Sequence, residues 1–240
     1  MRKINVITQK ELVDSLLIRE CTAVVLDVFL ATSTITCLLE NQFQRVYAVK
    51  DDKAALEIGK EQQSPYLLMG ELNGDEIVDF DFPDPTVIRK ENARQTAIIC
   101  STNGTVAVEK AKEAKRLYAA SLLNGHRIAE QISLQNDESS IILVCSGNAG
   151  RFSMEDFVGA GHIINHLIKY GDYSLSDSAL LARDCFLHSK QMNFKNLLCG
   201  ETAELLHRKG FEHTSQWVID HFEKMDTVPL FNGDHFIGKF

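Results

Sequence analysis

A chain of 240 residues is long enough to bury a full hydrophobic core. Its formal net charge of −8, with no run of basic residues, excludes a general nucleic-acid surface, which needs clustered Lys and Arg against phosphates. No apolar segment is long enough to cross a bilayer, and Met1-Arg2-Lys3-Ile4 leads into a short strand pattern instead of a signal-peptide core, so a cytoplasmic protein without a membrane partner is expected.

In chain order, apolar runs predict strands over 4–7, 23–28, 46–49, 66–69, 97–100, 117–119 and 141–145. Helical spacing separates most of them. Thr8-Gln9-Lys10-Glu11 resembles a capping box opening a first helix to about Arg19, with Leu12, Leu16 and Leu17 toward a sheet. Further helices are predicted over 33–42, 52–61, 104–115, 122–134, 154–169 and 176–190, and packing elements over 197–209 and 215–224. This alternation implies an α/β fold, three-layer α/β/α, with a mixed or mostly parallel sheet. With four prolines and no Ser/Gly-rich linker, residues 1–240 are taken as one domain with a helix-rich final third. The stretch from Gly70 to Glu91 is punctuated by Asn73-Gly74-Asp75 and Pro83-Asp84-Pro85, and is expected to be a functional loop, lid or excursion. Six cysteines without a C-x-x-C pair read as reduced thiols, Cys100 and Cys145 closing strands.

Three strand-to-helix turns carry the chemistry. The first is Asp27-Val28-Phe29-Leu30-Ala31-Thr32-Ser33-Thr34, where a carboxylate closes an apolar strand and three hydroxyls follow. Backbone N–H groups at a helix start attract anions, and the hydroxyls of Thr32, Ser33 and Thr34 add donors or cap the helix. The second, Ser101-Thr102-Asn103-Gly104-Thr105, repeats the form and adds a glycine that permits close backbone approach. The third runs from Ser146 to Asp156; Arg151 supplies a cation for an anionic ligand, and Ser153 with Asp156 has capping-box spacing. Glu71, just beyond its own strand, pairs with Asp27 either as part of an oxygen-rich Mg²⁺ site or as two loop carboxylates without a shared function; Glu155 is read equally as a metal ligand or base and as a solvated first-turn acid, and Asp156 as a helix-start residue or a further ligand. The eight His show no H-E-x-x-H motif; His162 and His166, four apart on a helix with Ile163, Ile164 and Asn165 between them, are read as a surface or packed pair. Walker, G-x-S-x-G and Rossmann motifs are absent.

Together, Asp27-Val28-x-x-Ala31-Thr32-Ser33-Thr34, Gly70-Glu71, Thr102-Asn103-Gly104-Thr105, Ser121-x-x-Asn124, Gly150-Arg151-Phe152-Ser153-x-Glu155-Asp156 and Ser176-Asp177 resemble the 2-phosphosulfolactate phosphatase (ComB) family. The resemblance implies a three-layer α/β fold and Mg²⁺-dependent conversion of 2-phospho-3-sulfolactate to 3-sulfolactate and phosphate, a step of coenzyme M synthesis or of other sulfonate pathways. It implies catalytic roles for Asp27, Glu71 and Arg151, phosphate contacts from Thr32, Ser33, Thr34, Thr102, Asn103, Gly104, Thr105 and Ser153, and metal ligands among Asp27, Glu71, Glu155 and Asp156. The chain departs from the family at Leu30, where Arg is usual, at Leu72-Asn73-Gly74, over 80–86, and around Leu198-Cys199-Gly200-Glu201. Losing that arginine removes a charge-assisted anion contact. Two alternatives therefore stand beside the family activity: a phosphatase for another small phosphorylated hydroxyacid, and a non-catalytic anion-binding paralogue. The expected partner is a small anionic phosphoester, and a homodimer through the final third is compatible with its apolar helix faces.

Overall fold

The computed structural model describes residues 1–90 and 96–239, so the last residue of the 70–91 stretch, Glu91, lies outside the described residues. Among them are an 11-stranded mixed, mostly parallel sheet and eight α-helices, an α/β fold. The strands are β1 (Arg2–Ile7), β2 (Thr22–Leu26), β3 (Arg45–Val49), β4 (Tyr66–Leu72), β5 (Asp75–Glu76), β6 (Thr96–Cys100), β7 (Arg116–Ala120), β8 (Ile141–Cys145), β9 (Tyr173–Leu175), β10 (Val228–Phe231) and β11 (Phe236–Lys239). The helices are α1 (Ala31–Glu40), α2 (Asp52–Glu61), α3 (Gly104–Ala111), α4 (Gly125–Ser133), α5 (Met154–Tyr170), α6 (Asp177–Gln191), α7 (Glu201–Arg208) and α8 (Glu212–Asp220).

Sheet order is β5-β4-β6-β3-β11-β10-β7-β2-β8-β1-β9. One parallel block contains β4, β6 and β3, the other β7, β2, β8, β1 and β9. The antiparallel β10–β11 hairpin joins them through one register pair on each side, Leu230 with Tyr118 and Phe236 with Val46. Every residue of β2 and β6 is buried, the pattern of parallel strands covered on both faces. Helices α3 and α5 both pack on β2, while α1 packs on strands of both blocks and on the hairpin. The loops after β2, β4, β6 and β8 meet on one cavity, described below.

All seven expected strands form, but the expected first helix does not. Short 3₁₀ turns cover Lys10–Leu12 and Leu17–Glu20 instead. Asp14 is the reason: its Oδ1 accepts the N–H groups of Leu16 at 2.9 Å and Leu17 at 3.1 Å, diverting donors that a continuous helix would use. Leu12, Leu16 and Leu17 are consequently exposed, while Lys10 and Ile18 are buried. The 197–209 element is likewise split into a 3₁₀ turn, Lys195–Cys199, and α7, separated by the extended Gly200. The final third also ends in strand, since Asn232-Gly233-Asp234 turns the β10–β11 hairpin. No helix among the described residues is long and apolar enough to cross a membrane.

Candidate active site

Asp27 follows β2 and is held by its own turn. The Thr32 hydroxyl donates to the Asp27 carbonyl at 2.9 Å and accepts the Asp27 N–H at 3.0 Å, and the Thr32 N–H bonds the same carbonyl. Ser33 donates to the Val28 carbonyl at 2.8 Å and Thr34 to the Pro83 carbonyl at 2.7 Å. All three hydroxyl residues are fully buried, and none faces the cavity at Asp27. They shape the loop and tie it to the 80–86 stretch; their side chains are spent on backbone instead of pointing at a ligand. Gly104 opens α3 against Asp27 so closely that a Cβ there would lie 2.3 Å from Oδ2. Only glycine fits between α3 and the carboxylate.

The second turn is used similarly. Thr105 exchanges hydrogen bonds with Ser101 and is buried. The Thr102 N–H donates to Glu71 Oε1 at 2.6 Å, and its hydroxyl donates to Oε2 at 3.1 Å. The Gly74 N–H also reaches Oε2, at 2.7 Å, so Glu71 is fixed by three donors and retains free lone pairs. Asn103 Oδ1 accepts from Lys10 Nζ at 2.8 Å and from the Ala149 N–H at 3.1 Å, linking the second turn to the third.

In the third turn Ser153 caps α5 by accepting the Asp156 N–H at 3.3 Å. The Asp156 carboxylate does not return the capping bond. Its two oxygens accept the N–H groups of Val28 at 2.9 Å and Gly147 at 3.2 Å, which binds the β2 and β8 loops to the start of α5. Glu155, beside it, is buried. Arg151 stands exposed at the cavity mouth and pairs with Glu201 of α7 at 2.9 Å.

Asp27, Glu71, Thr102, Asn103 and Arg151 thus share one cavity of 210 Å³. Thr32, Ser33, Thr34, Gly104, Thr105 and Ser153 frame it, while Glu155 and Asp156 lie behind Asp27. Phe29, Leu30, Phe82, Leu205 and Leu206 form an apolar wall, and Phe82 is itself stacked on Phe211 at 3.7 Å between ring centroids. A larger groove of 660 Å³ on the other side of Phe82 contains Asp81 and Asp84 but no cation among its described lining residues, so it does not suit a phosphoester.

The electrostatics set this cavity apart. Burial, then the charges of Glu71 and Glu155, push the Asp27 carboxyl up to about 7, while the Gly104 N–H and Lys10 pull it back. Burial raises Glu155 as well, and burial with Asp27 and Glu155 alongside raises Asp156 well above the carboxylate range. The nearest compensating cation is Lys10, whose buried ammonium reaches Asn103, the Ser146 carbonyl at 3.3 Å and Glu11 at 3.1 Å. Lys10 escaped sequence reasoning because it sat inside an expected helix cap; its position directly after β1 was the available signal.

Residues 6–233 match the family model described as 2-phosphosulpholactate phosphatase. The chain belongs to that family. The match spans every loop of the cavity. The chain is 36% identical over 225 residues to a probable 2-phosphosulfolactate phosphatase of Thermotoga maritima, covering 92% of this chain and 94% of the relative. Probable 2-phosphosulfolactate phosphatases of Clostridium novyi and Clostridium perfringens are 35% and 37% identical over 73% and 75% of this chain, covering 75% and 74% of their own lengths. In this phosphatase family member, Asp27 and Glu71 are the carboxylates that line the cavity, and their oxygens are the donor type a hard divalent cation takes; Glu155 adds its charge to theirs from behind the cavity wall, and the three acids do not bring one ligand atom each within 4.8 Å of one another.

A second group lies apart from the cavity. His162, His166 and Glu223 bring ligand atoms within 4.8 Å of one another and form a possible metal site. The histidine pair is packed, with His162 fully buried, and its carboxylate partner comes from the segment after α8, beyond the reach of a local sequence motif.

The raised Asp27 pKa has a consequence for stability. Below the unfolded value near 3.8 both states hold the proton; between there and about 7 the metal-free folded state holds a proton that the unfolded state has released, so stability falls as pH rises. Asp27→Asn removes that penalty. In metal-stripped protein its melting temperature should match the parent at acid pH and exceed it increasingly up to about pH 7, where the gain levels off at several degrees, ~2–4 °C per kcal/mol for a chain of this size. Scanning calorimetry across pH checks this; a constant difference, or a loss at neutral pH, would contradict it.

Proposed function

We propose that this protein is a Mg²⁺-dependent phosphomonoester hydrolase that converts 2-phospho-3-sulfolactate to 3-sulfolactate and inorganic phosphate. The observation that carries the reading is the meeting of two carboxylates, Glu71 and a raised Asp27, in a small cavity that also holds Asn103, Thr102 and Arg151. Family membership supports it.

Asp27 and Glu71 would hold Mg²⁺, with water completing its shell, and the ion would supply charge compensation for the phosphoryl oxygens. Thr102 and Gly74 keep Glu71 oriented through their hydrogen bonds, and Asp156 fixes the backbone of Val28 next to Asp27. Asn103 and Asn148 offer amide donors to the phosphate, and Arg151 offers a guanidinium at the mouth once it exchanges Glu201 for the anionic substrate. Lys10 is a positioning residue: it holds Asn103 and opposes the charge on Asp27. Phe29 stands where a second aspartate would follow in an aspartyl-phosphatase D-x-D pair, so direct attack of water on phosphorus, with cleavage of its bond to the C2 oxygen, is the assigned route.

The apolar wall favours a second reading. Leu30 stands where the resembled pattern has arginine, and with Phe82, Leu205 and Leu206 it presents hydrocarbon to the non-phosphate end of the substrate. A phosphorylated hydroxyacid without a sulfonate would suit that surface.

Phosphate release from 2-phospho-3-sulfolactate should require Mg²⁺, stop with EDTA, and fall by about a hundredfold or more in Asp27→Asn. No release by folded, Mg²⁺-loaded parent protein would overturn the proposal in favour of a binding role, and faster turnover of sulfonate-free analogues would select the second reading. Lys10→Met should move the acid limb of the kcat/KM profile to higher pH, because removing the cation raises Asp27 further. An unmoved limb would assign Lys10 a purely structural part.

A further inference from the structure

His162 and His166 stand one turn apart on the same face of α5, and both present Nε2 to a single oxygen, Glu223 Oε1, at 2.9 and 2.7 Å. Glu223 belongs to the segment between α8 and β10 and adopts a left-handed backbone with φ of 56°. A non-glycine residue takes that conformation at a cost, here secured by its N–H bond to the Leu122 carbonyl at 3.0 Å. The backbone is therefore held in a disfavoured state that aims a carboxylate at two imidazoles. Among the described residues Glu223 has no Lys or Arg within ion-pair distance, although Lys190 lies nearby over the rings of Phe186 and Phe222.

The surroundings fit a cation held by nitrogen and oxygen. Phe186 and Phe222 flank His162 at ring distances of 5.2 and 4.8 Å and shield the group from water on that side. Burial keeps the His162 imidazole neutral by pushing it down to about 4, and the neutral ring is the form that ligates. The ring of His126 is 6.2 Å from that of His166, and its Nδ1 is buried without a hydrogen-bond partner, as is Nδ1 of His162. Two imidazoles with one carboxylate leave a coordination position for water or for His126.

We infer that His162, His166 and Glu223 bind a first-row transition-metal ion of the Zn²⁺ type, at a site separate from the carboxylate cavity. Nitrogen donors select such ions over Mg²⁺, whereas carboxylate oxygens such as those of Asp27 and Glu71 suit Mg²⁺. The site lies seven or more residues along α5 from Glu155, roughly 10 Å by helical rise. A metal there would pin α5 to the segment that enters β10. That segment is otherwise tied down by Glu223 and Met225 to the carbonyls of Leu122 and Leu123, and by Thr227 to Glu40. The role is structural: the ion would fasten the central hairpin to the helix that starts at the catalytic cavity.

The test is Zn²⁺ uptake by the full chain in competition with a chromophoric chelator, with Mg²⁺ in excess throughout. The parent protein should take one equivalent that Mg²⁺ does not displace and should melt at a higher temperature with Zn²⁺. His166→Ala and Glu223→Gln change partly exposed side chains, so both should fold and bind Zn²⁺ at least about tenfold more weakly, losing the thermal shift. Asp27→Asn should retain the parent's Zn²⁺ affinity. No uptake by the parent, uptake undiminished in both His166→Ala and Glu223→Gln, or uptake lost in Asp27→Asn would each overturn the assignment.

Discussion

Burial of carboxylates at the carboxyl end of β2 and in the first turn of α5, next to the half-buried Glu71 of β4, is the constraint around which the rest of the molecule is arranged. An ionised carboxylate withdrawn from water is expensive, and Asp27 has two further carboxylates influencing it and one buried ammonium against them. The surrounding loops hold these groups together despite their repulsion. Thr32 grips both backbone atoms of Asp27, Glu71 accepts three donors, and Asp156 fastens the β2 loop to the β8 loop. A site assembled against its own electrostatics is characteristic of one completed by a cation, and such pKa shifts concentrate at functional centres.

The hydroxyl-rich turns gain a clear physical role from this arrangement. Their side chains face backbone: Ser33 and Thr34 meet carbonyls of the β2 loop and of the 80–86 stretch, and Thr105 closes a reciprocal pair with Ser101. The 80–86 stretch is consequently a packed wall, anchored by Phe82 on Phe211 and by Asp84 to His213 at 2.9 Å. The α7 segment closes another side, where Thr202 accepts from Asn148 at 3.4 Å and Glu201 holds Arg151. The cavity wall is therefore built from parts of the chain distant in sequence from the motif turns.

The strands were legible because fully buried parallel strands leave continuous apolar runs, and all seven such runs form strands. What escaped were elements without that signature. The β9 strand has three half-buried residues, and β10 carries Pro229, a residue that rarely sits inside a strand. The helix expected after Thr8 failed through a local competitor, Asp14, that periodicity does not weigh. At the site, carboxylates at strand ends were legible since topology places ligands there. Lys10, Thr202 and Glu223 were not, because each meets its partners only through tertiary contacts.

The claim that a cation completes the Asp27 cluster is tested most directly by calorimetric titration of metal-stripped protein with Mg²⁺ near pH 7, in two buffers of different protonation enthalpy. With Asp27 raised to about 7, a substantial fraction carries a proton before binding, so Mg²⁺ binding should release protons from the parent and release fewer, with weaker affinity, in Asp27→Asn. Binding without proton release, or with affinity unchanged in Asp27→Asn, would contradict the account.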